Sequence, residues 1–228
     1  MRAEKNYESF AETLFAKCPA PRVLVLGGSI QGEGIRVLLR HATIELVETD
    51  VVLGPRTMLI CDAHNIPFAG ATFDGVVVQA VLEHVVDPYR CVQEIHRVLQ
   101  SNGLVYAETP FMQQVHGGKY DFTRFTHVGH RRLFRDFDEL ESGAVCGPGM
   151  ALAWAYEYFL LSWFRNPLAR KFVRLFARVT AFYLKYFDYF LIDRPGAIDA
   201  ASAYYFMGRK SPRPIEDRKL INTYKGLP

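Results

Sequence analysis

The sequence predicts an α/β fold: a doubly wound, mostly parallel sheet of seven strands, with a helical, aromatic-rich insertion before the last strand. Three observations carry this. Short β-branched runs alternate with helical or polar segments, the rhythm of a parallel sheet with crossover helices. Each run is nearly continuous in apolar residues, as expected of strands covered on both faces. A long aromatic stretch of helical periodicity then interrupts the alternation before the final run. At 228 residues, 50% hydrophobic and 22% charged, the chain suits one domain, 1–228, with an insertion at 147–200, and is too short for two full domains.

The strands expected first are RVLVLGG (22–28), TIELVETDV (43–51), TMLICDA (57–63), FDGVVVQAV (73–81) and GLVYAET (103–109). The clearest helix starts at Asp87-Pro88, where Asp caps and Pro takes the first turn. It runs through Tyr89, Val92, Ile95, Val98 and Leu99 and stops at Asn102-Gly103. DELESGAV (138–145) precedes the insertion, and AYYFMGRK (203–210) is the last strand. The first residues lack the apolar core of a signal peptide, and no stretch of about eighteen residues is free of charge, so nothing is expected to span a membrane. Cys18, Cys61, Cys91 and Cys146 form no C-x-x-C pair, which disfavours a zinc site or a disulfide framework and fits a reducing, cytoplasmic setting. A net charge of +3 is too small to argue for nucleic acid, and the basic residues cluster with large apolar ones instead of forming a polar groove.

The glycines of VLVLGGSIQGEG (23–34) match neither the dinucleotide G-x-G-x-x-G spacing nor a P-loop, which would need Lys where Glu33 stands. An acidic side chain there repels phosphate, so the loop suits a ligand without a pyrophosphate, and a nicotinamide-dependent dehydrogenase is disfavoured. Asp50 closes the second strand, where a carboxylate can accept both hydroxyls of a ribose. Asp62-Ala63, Pro67-Phe68, Phe73-Asp74, Leu82-Glu83-His84 and Glu94 through Leu99 then follow in order. This series resembles the type 11 group of class I S-adenosylmethionine-dependent methyltransferases, over about Val23 to Glu108, and implies a Rossmann-like sheet.

The resemblance implies roles. Gly27, Gly28 and Ser29 lie against the methionine part of S-adenosyl-L-methionine, Asp50 binds the ribose, Asp62 accepts the adenine amino group, and Ala63 offers its N–H to the ring. Gln79 sits beside the methionine end, and His84 of the LEH segment joins the cofactor set. Glu94 and Arg97 read as an ion pair. One position departs from the pattern: the family usually carries an acidic residue two places before the first loop glycine, and here Val25 stands there. Glu33 or Glu48 could compensate; a non-catalytic scaffold that keeps the fold is the alternative reading.

The segment ETPFMQQVHGGKYDFTRFTHVGHRRLF follows the fifth strand, where the chain passes the transferred methyl group. In-line attack on a sulfonium draws mostly on alignment and water exclusion. For a hydroxyl acceptor, His116 or Asp121 could take the proton and Arg124 could orient an anionic group; the alternative for Asp121 and Arg124 is an ion pair bracing the loop. His116, His127 and His130 are a weak zinc signature, so no metal is expected. Within 150–192, Phe172, Leu175, Phe176, Val179, Phe182, Tyr183, Tyr186, Phe187 and Phe190 recur at helical spacing among Arg170, Lys171, Arg174, Arg178 and Lys185. This stretch reads as a lid, a homodimer interface or a membrane-surface contact. In each case the acceptor is a small molecule, glycan or lipid-linked compound, methylated at oxygen.

Overall fold

A computed structural model describes residues 2–227. Its strands are β1 (Arg22–Leu26), β2 (Glu45–Asp50), β3 (Leu59–Ile60), β4 (Phe73–Gln79), β5 (Leu99–Pro110), β6 (Phe137–Cys146) and β7 (Ala203–Lys210), joined in one seven-stranded sheet of order β3-β2-β1-β4-β5-β7-β6. The pairs from β3 to β5 are parallel, and β7 runs antiparallel to both β5 and β6. The strand order therefore reverses between β1 and β4, and the crevice beyond their carboxyl ends is where such sheets bind ligands.

Helices cover both faces. Helix α1 (Arg2–Phe15) buries Ala3, Tyr7, Phe10, Ala11 and Leu14, spaced for one face, against β1, β4 and β5 together with α2 (Arg36–Leu39). Gly75 makes this approach possible, because a Cβ there would stand 3.0 Å from the Phe10 ring. On the other face α3 (Pro88–Val98) buries Cys91, Val92, Ile95 and Val98, and α4 (His127–Leu133) packs beside it. The Asp87 carboxylate caps α3 by accepting from the Arg90 N–H, with Pro88 at the first position. Helices α5 (Pro148–Leu161), α6 (Pro167–Ala181), α7 (Asp188–Leu191) and α8 (Pro195–Asp199) fill the chain between β6 and β7.

Three local expectations change. Helix α3 ends at Val98, not Asn102, because Leu99 is already extended and pairs with Phe73; β5 thus begins earlier, and Asn102 takes a left-handed φ of 64° at an irregularity within that strand. The third strand shrinks to Leu59–Ile60, both exposed, because it is a sheet edge held by only two register pairs. Residues 2–15, which gave no strand or motif, form a core helix. All four cysteines are free thiols.

Candidate active site

A cavity of 430 Å³ opens at the carboxyl ends of β1, β4 and β5. Register sets its floor: Val25 is level with Glu48 and Val77, and Gln79 with Glu108. Gly27 closes β1 with φ +76°, and a Cβ on it would stand 2.3 Å from a Val81 methyl. The loop then folds inward until Gly32 lies on Gln79, where a Cβ would be 2.0 Å from Oε1. Gln79 ties the site together. Its Nε2 donates to the Glu33 carbonyl at 3.1 Å and to Glu108 at 2.8 Å, and its Oε1 accepts from the Tyr7 hydroxyl at 3.4 Å.

The charge of this cavity is one-sided. Glu33, Glu48, Glu83 and Glu108 line it, with His116, and no lysine or arginine among the described residues does. Glu48 is held from behind by Arg56 in a two-pronged pair at 2.9 and 2.7 Å. Glu108 accepts from Tyr106 and Gln79, and burial holds its carboxyl above the usual carboxylate range. Val25 lines the cavity where the resemblance would put an acid; the carboxyl groups there come instead from Glu33, Glu83 and the neighbouring strand ends.

Of the expected cofactor residues, Gly27, Gly28 and Gln79 line this cavity; Ser29, Asp50, Asp62, Ala63 and His84 do not. Asp50 accepts from the Ser29 N–H at 3.1 Å and the Val52 N–H at 3.2 Å, so it anchors the glycine loop. Asp62 lies beyond β3 with its side chain 64% exposed, and hydrogen bonds from the His64 backbone and ring hold its pKa below the ordinary value. Ala63 is buried in the core below it. The loop carrying both is pinned by Glu94, which accepts from the Ile66 N–H, and by Arg97, which grips Glu94 and donates to the Ile66 and Phe68 carbonyls.

The loop after β5 is braced by Asp121 and Arg124. The Asp121 carboxylate accepts from both ends of the Arg124 guanidinium and from the His116 and Gly117 N–H groups. These contacts, Arg124 foremost, hold it far below the usual carboxylate range. Arg124 spends its remaining donors on the Gln113, Gln114 and Thr123 carbonyls. The residue this brace presents to the cavity is His116, whose imidazole pKa is raised above the ordinary value, chiefly by Glu83. His127 and His130 are elsewhere, buried on α4 with rings 5.7 and 6.5 Å from that of Tyr204. The histidine that joins His116 is His84, ring to ring at 4.9 Å.

Two residues of this site escaped the sequence reading. Tyr7 comes from a helix read only as not being a signal peptide, although its burial was legible in the spacing of Tyr7, Phe10, Ala11 and Leu14. Glu83 stood inside the LEH segment as a family match without a role; it is fully buried, and neither carboxylate oxygen has a hydrogen-bond partner. No residue of 148–200 lines the cavity. Helix α6 buries only Ala177 and Ala181, and its large apolar side chains point outward. No helix among the described residues is long and apolar enough to cross a membrane.

Residues 31–107 match the family model described as a methyltransferase domain. No curated protein matches the sequence. Among solved structures, the chain is similar to a Galdieria sulphuraria protein provisionally assigned as a sarcosine dimethylglycine methyltransferase, with 16% identity and a TM-score of 0.59 over 92% of this chain and 86% of that one. It is similar to the 1,6-didemethyltoxoflavin-N1-methyltransferase of Burkholderia thailandensis, with 15% identity and a TM-score of 0.52 over 91% and 79%. A third is the phosphoethanolamine N-methyltransferase 2 of Haemonchus contortus, with 13% identity and a TM-score of 0.55 over 91% of this chain and 52% of that one. Residues 31–107 thus resemble a methyltransferase domain, within a chain that shares its fold with the solved methyltransferase structures.

Proposed function

We propose that this protein transfers the methyl group of S-adenosylmethionine to a hydroxyl oxygen of a small-molecule, glycan or lipid-linked acceptor. The observation that carries the reading is the cavity at the sheet's switch point, lined by four acidic residues and one histidine, with no lysine or arginine among the described residues. Such a lining disfavours phosphate and suits a ligand bearing a sulfonium and an ammonium. The glycine cradle fits as well, since any Cβ at Gly27 or Gly32 would collide with its neighbours. Gly27, Gly28, Ser29 and Gln79 would hold the methionine part, Asp50 the ribose, and Asp62 with Ala63 the adenine. Asp50 gives two contacts to backbone N–H groups, and a carboxylate has lone pairs left for ribose hydroxyls. The donor, when bound, supplies a methyl group on a positively charged sulfur.

The chain's own residues do the positioning. The mutual hydrogen bonds of Asp121 and Arg124 support a bracing role for them, and the lining position of His116 supports a role for it towards the acceptor. His84, expected at the cofactor, stands beside His116.

A lipid-linked acceptor is favoured by the outward face of α6. Phe172 is 72% exposed and Phe176 57%, and Lys171 and Arg165 are exposed nearby. Glu157, the acid nearest before α6 in the sequence, is already paired with Arg174 and Arg178. An aromatic face with surplus cations suits the interface of an anionic bilayer.

Calorimetric titration with S-adenosylmethionine and S-adenosylhomocysteine, with NAD as control, tests the donor site. Micromolar binding of the first two alone supports it, and binding of neither gives the lead to the scaffold reading that Val25 favours. Cosedimentation with anionic and zwitterionic vesicles tests the surface. Anionic binding that weakens with salt supports it, and a concentration-dependent dimer without vesicle binding replaces the membrane by a second copy.

A further inference from the structure

The Glu83 carboxylate is the least satisfied polar group facing the cavity. Its side chain is fully buried, both oxygens lack hydrogen bonds, and its backbone carbonyl is occupied by the Phe122 and Thr123 N–H groups. Oε1 lies 3.8 Å from His84 Nε2 and 3.7 Å from His116 Nε2, and the three atoms fall within 4.8 Å of one another.

The outer contacts of the two imidazoles decide what these nitrogens present. His84 Nδ1 lies 2.8 Å from the Tyr120 carbonyl, which can only accept, so Nδ1 carries the proton and Nε2 offers a lone pair. His116 Nδ1 faces the Gln114 carbonyl at 3.3 Å and the Asp121 carboxylate at 3.6 Å. The single donor nearby, an Arg124 nitrogen at 3.5 Å, is already bonded to Asp121 at 2.7 Å and Gln114 at 3.2 Å. In the neutral form of His116, Nε2 is therefore also an acceptor. Three ligand atoms, one of them a buried carboxylate oxygen, then converge with only a proton on an imidazole to satisfy them. A buried charge in that state is costly unless a cation completes it.

We infer that Glu83, His84 and His116 form a binding site for one divalent cation of the zinc class. Two imidazoles and a carboxylate are a known donor set for tetrahedral sites that keep one position open. Bonds of about 2.1 Å place tetrahedral ligand atoms about 3.4 Å apart, a few tenths of an ångström closer than Glu83 stands to either imidazole here. Each histidine has its Nδ1 set against a carbonyl or carboxylate, the outer arrangement that orients metal-binding imidazoles. Gly117 makes the convergence sterically possible, since a Cβ there would stand 2.5 Å from His84 Cε1. Glu83 and His116 line the cavity, so the open position faces the acceptor, where an oxygen ligand would complete the shell. The site goes beyond the methyl-transfer reading and is measured without the methyl donor.

The full chain, stripped with a chelator, is titrated with Zn²⁺ against a chromogenic competitor, and with Co²⁺ for the visible absorption of a tetrahedral ion. One equivalent is expected to bind, weakened about tenfold or more in E83Q and in H116Q, while H41Q, an exposed histidine away from the cluster, matches the native chain. A native chain that binds no equivalent, or either ligand variant matching it, overturns the inference. Should E83Q fail to fold, H116Q decides alone. Calorimetry with S-adenosylmethionine on the same samples reports separately whether the donor site stands.

Discussion

In α3, Cys91, Val92, Ile95 and Val98 lie along one face, and every one is buried in the core under β4 and β5. In α6, Phe172, Leu175, Phe176 and Val179 recur at a similar spacing, and every one is more than half exposed. Both sequences are amphipathic, both start on a capped Pro, and the residues of α6 are the larger. Periodicity reports that a helix has an apolar face and says nothing about what covers it. The difference lies in the connections. Helix α3 is a crossover between adjacent parallel strands and must lie on the sheet, whereas α6 sits in an excursion between antiparallel β6 and β7, where topology imposes no such contact.

The largest effect expected from this contrast is on stability. Ile95→Ala should lower the unfolding free energy by about 2–5 kcal/mol through lost burial and a residual cavity. Phe172→Ala should change it by no more than about 0.5 kcal/mol, because that ring is already in water. Denaturant titrations of both variants decide the matter. A loss above about 2 kcal/mol in Phe172→Ala would show that a second copy covers the face in solution.

Next in size is the surface itself. If α6 meets a bilayer, Phe172→Ser and Phe176→Ser should each weaken binding to anionic vesicles about tenfold, since part of the roughly 1.5–3 kcal/mol of burying a Phe is lost each time. Equal partitioning of the double variant and the native chain would exclude this face as the contact.

A third contrast is in the response to pH. His130 on α4 is fully buried among Phe134, Tyr204 and Phe206 with no partner on Nε2, and burial depresses its pKa to about 3. The unfolded imidazole titrates near 6.5, so below that pH the unfolded chain takes up a proton that the folded chain refuses. Stability should therefore fall with decreasing pH, at about 1.4 kcal/mol per pH unit from this group, from about pH 6.5 down to about pH 3. His130→Phe should flatten that part of the profile. An unchanged slope would assign it to other groups, with His127 the next candidate because burial lowers its pKa too.

What the sequence disclosed divides along the same line. The parallel strands were legible because both their faces are buried, which leaves continuous apolar runs, and the cap of α3 because Asp-Pro is a local signal. The glycine loop and Gln79 were legible through a family pattern that samples strand ends. Glu83 was visible in that pattern yet carried no role, since its importance rests on His116, thirty-odd residues away across a loop. Tyr7 reaches the cavity only because α1 packs over β1, β4 and β5, a tertiary fact absent from its neighbours in sequence. Asp121 and Arg124 were open to two roles at that stage, and counting their hydrogen bonds favours the brace.

The smallest effect is the most discriminating test of the comparison. Each helix begins on a side-chain cap. Asp87 accepts from the Arg90 N–H in α3, and Asn166 accepts from the Leu168 and Ala169 N–H groups in α6. Replacing either by Ala removes an interaction worth about 1 kcal/mol to its helix. In α3 the loss should appear in full as lowered global stability, because that helix unfolds only with the core it covers. In α6, which buries just two alanines, the same loss should appear as faster amide exchange within 167–181, with the global midpoint unchanged. Equal global losses from Asp87→Ala and Asn166→Ala would mean that α6 unfolds cooperatively with the sheet, and that its outward aromatic face is bound to the rest of the molecule more tightly than its packing indicates.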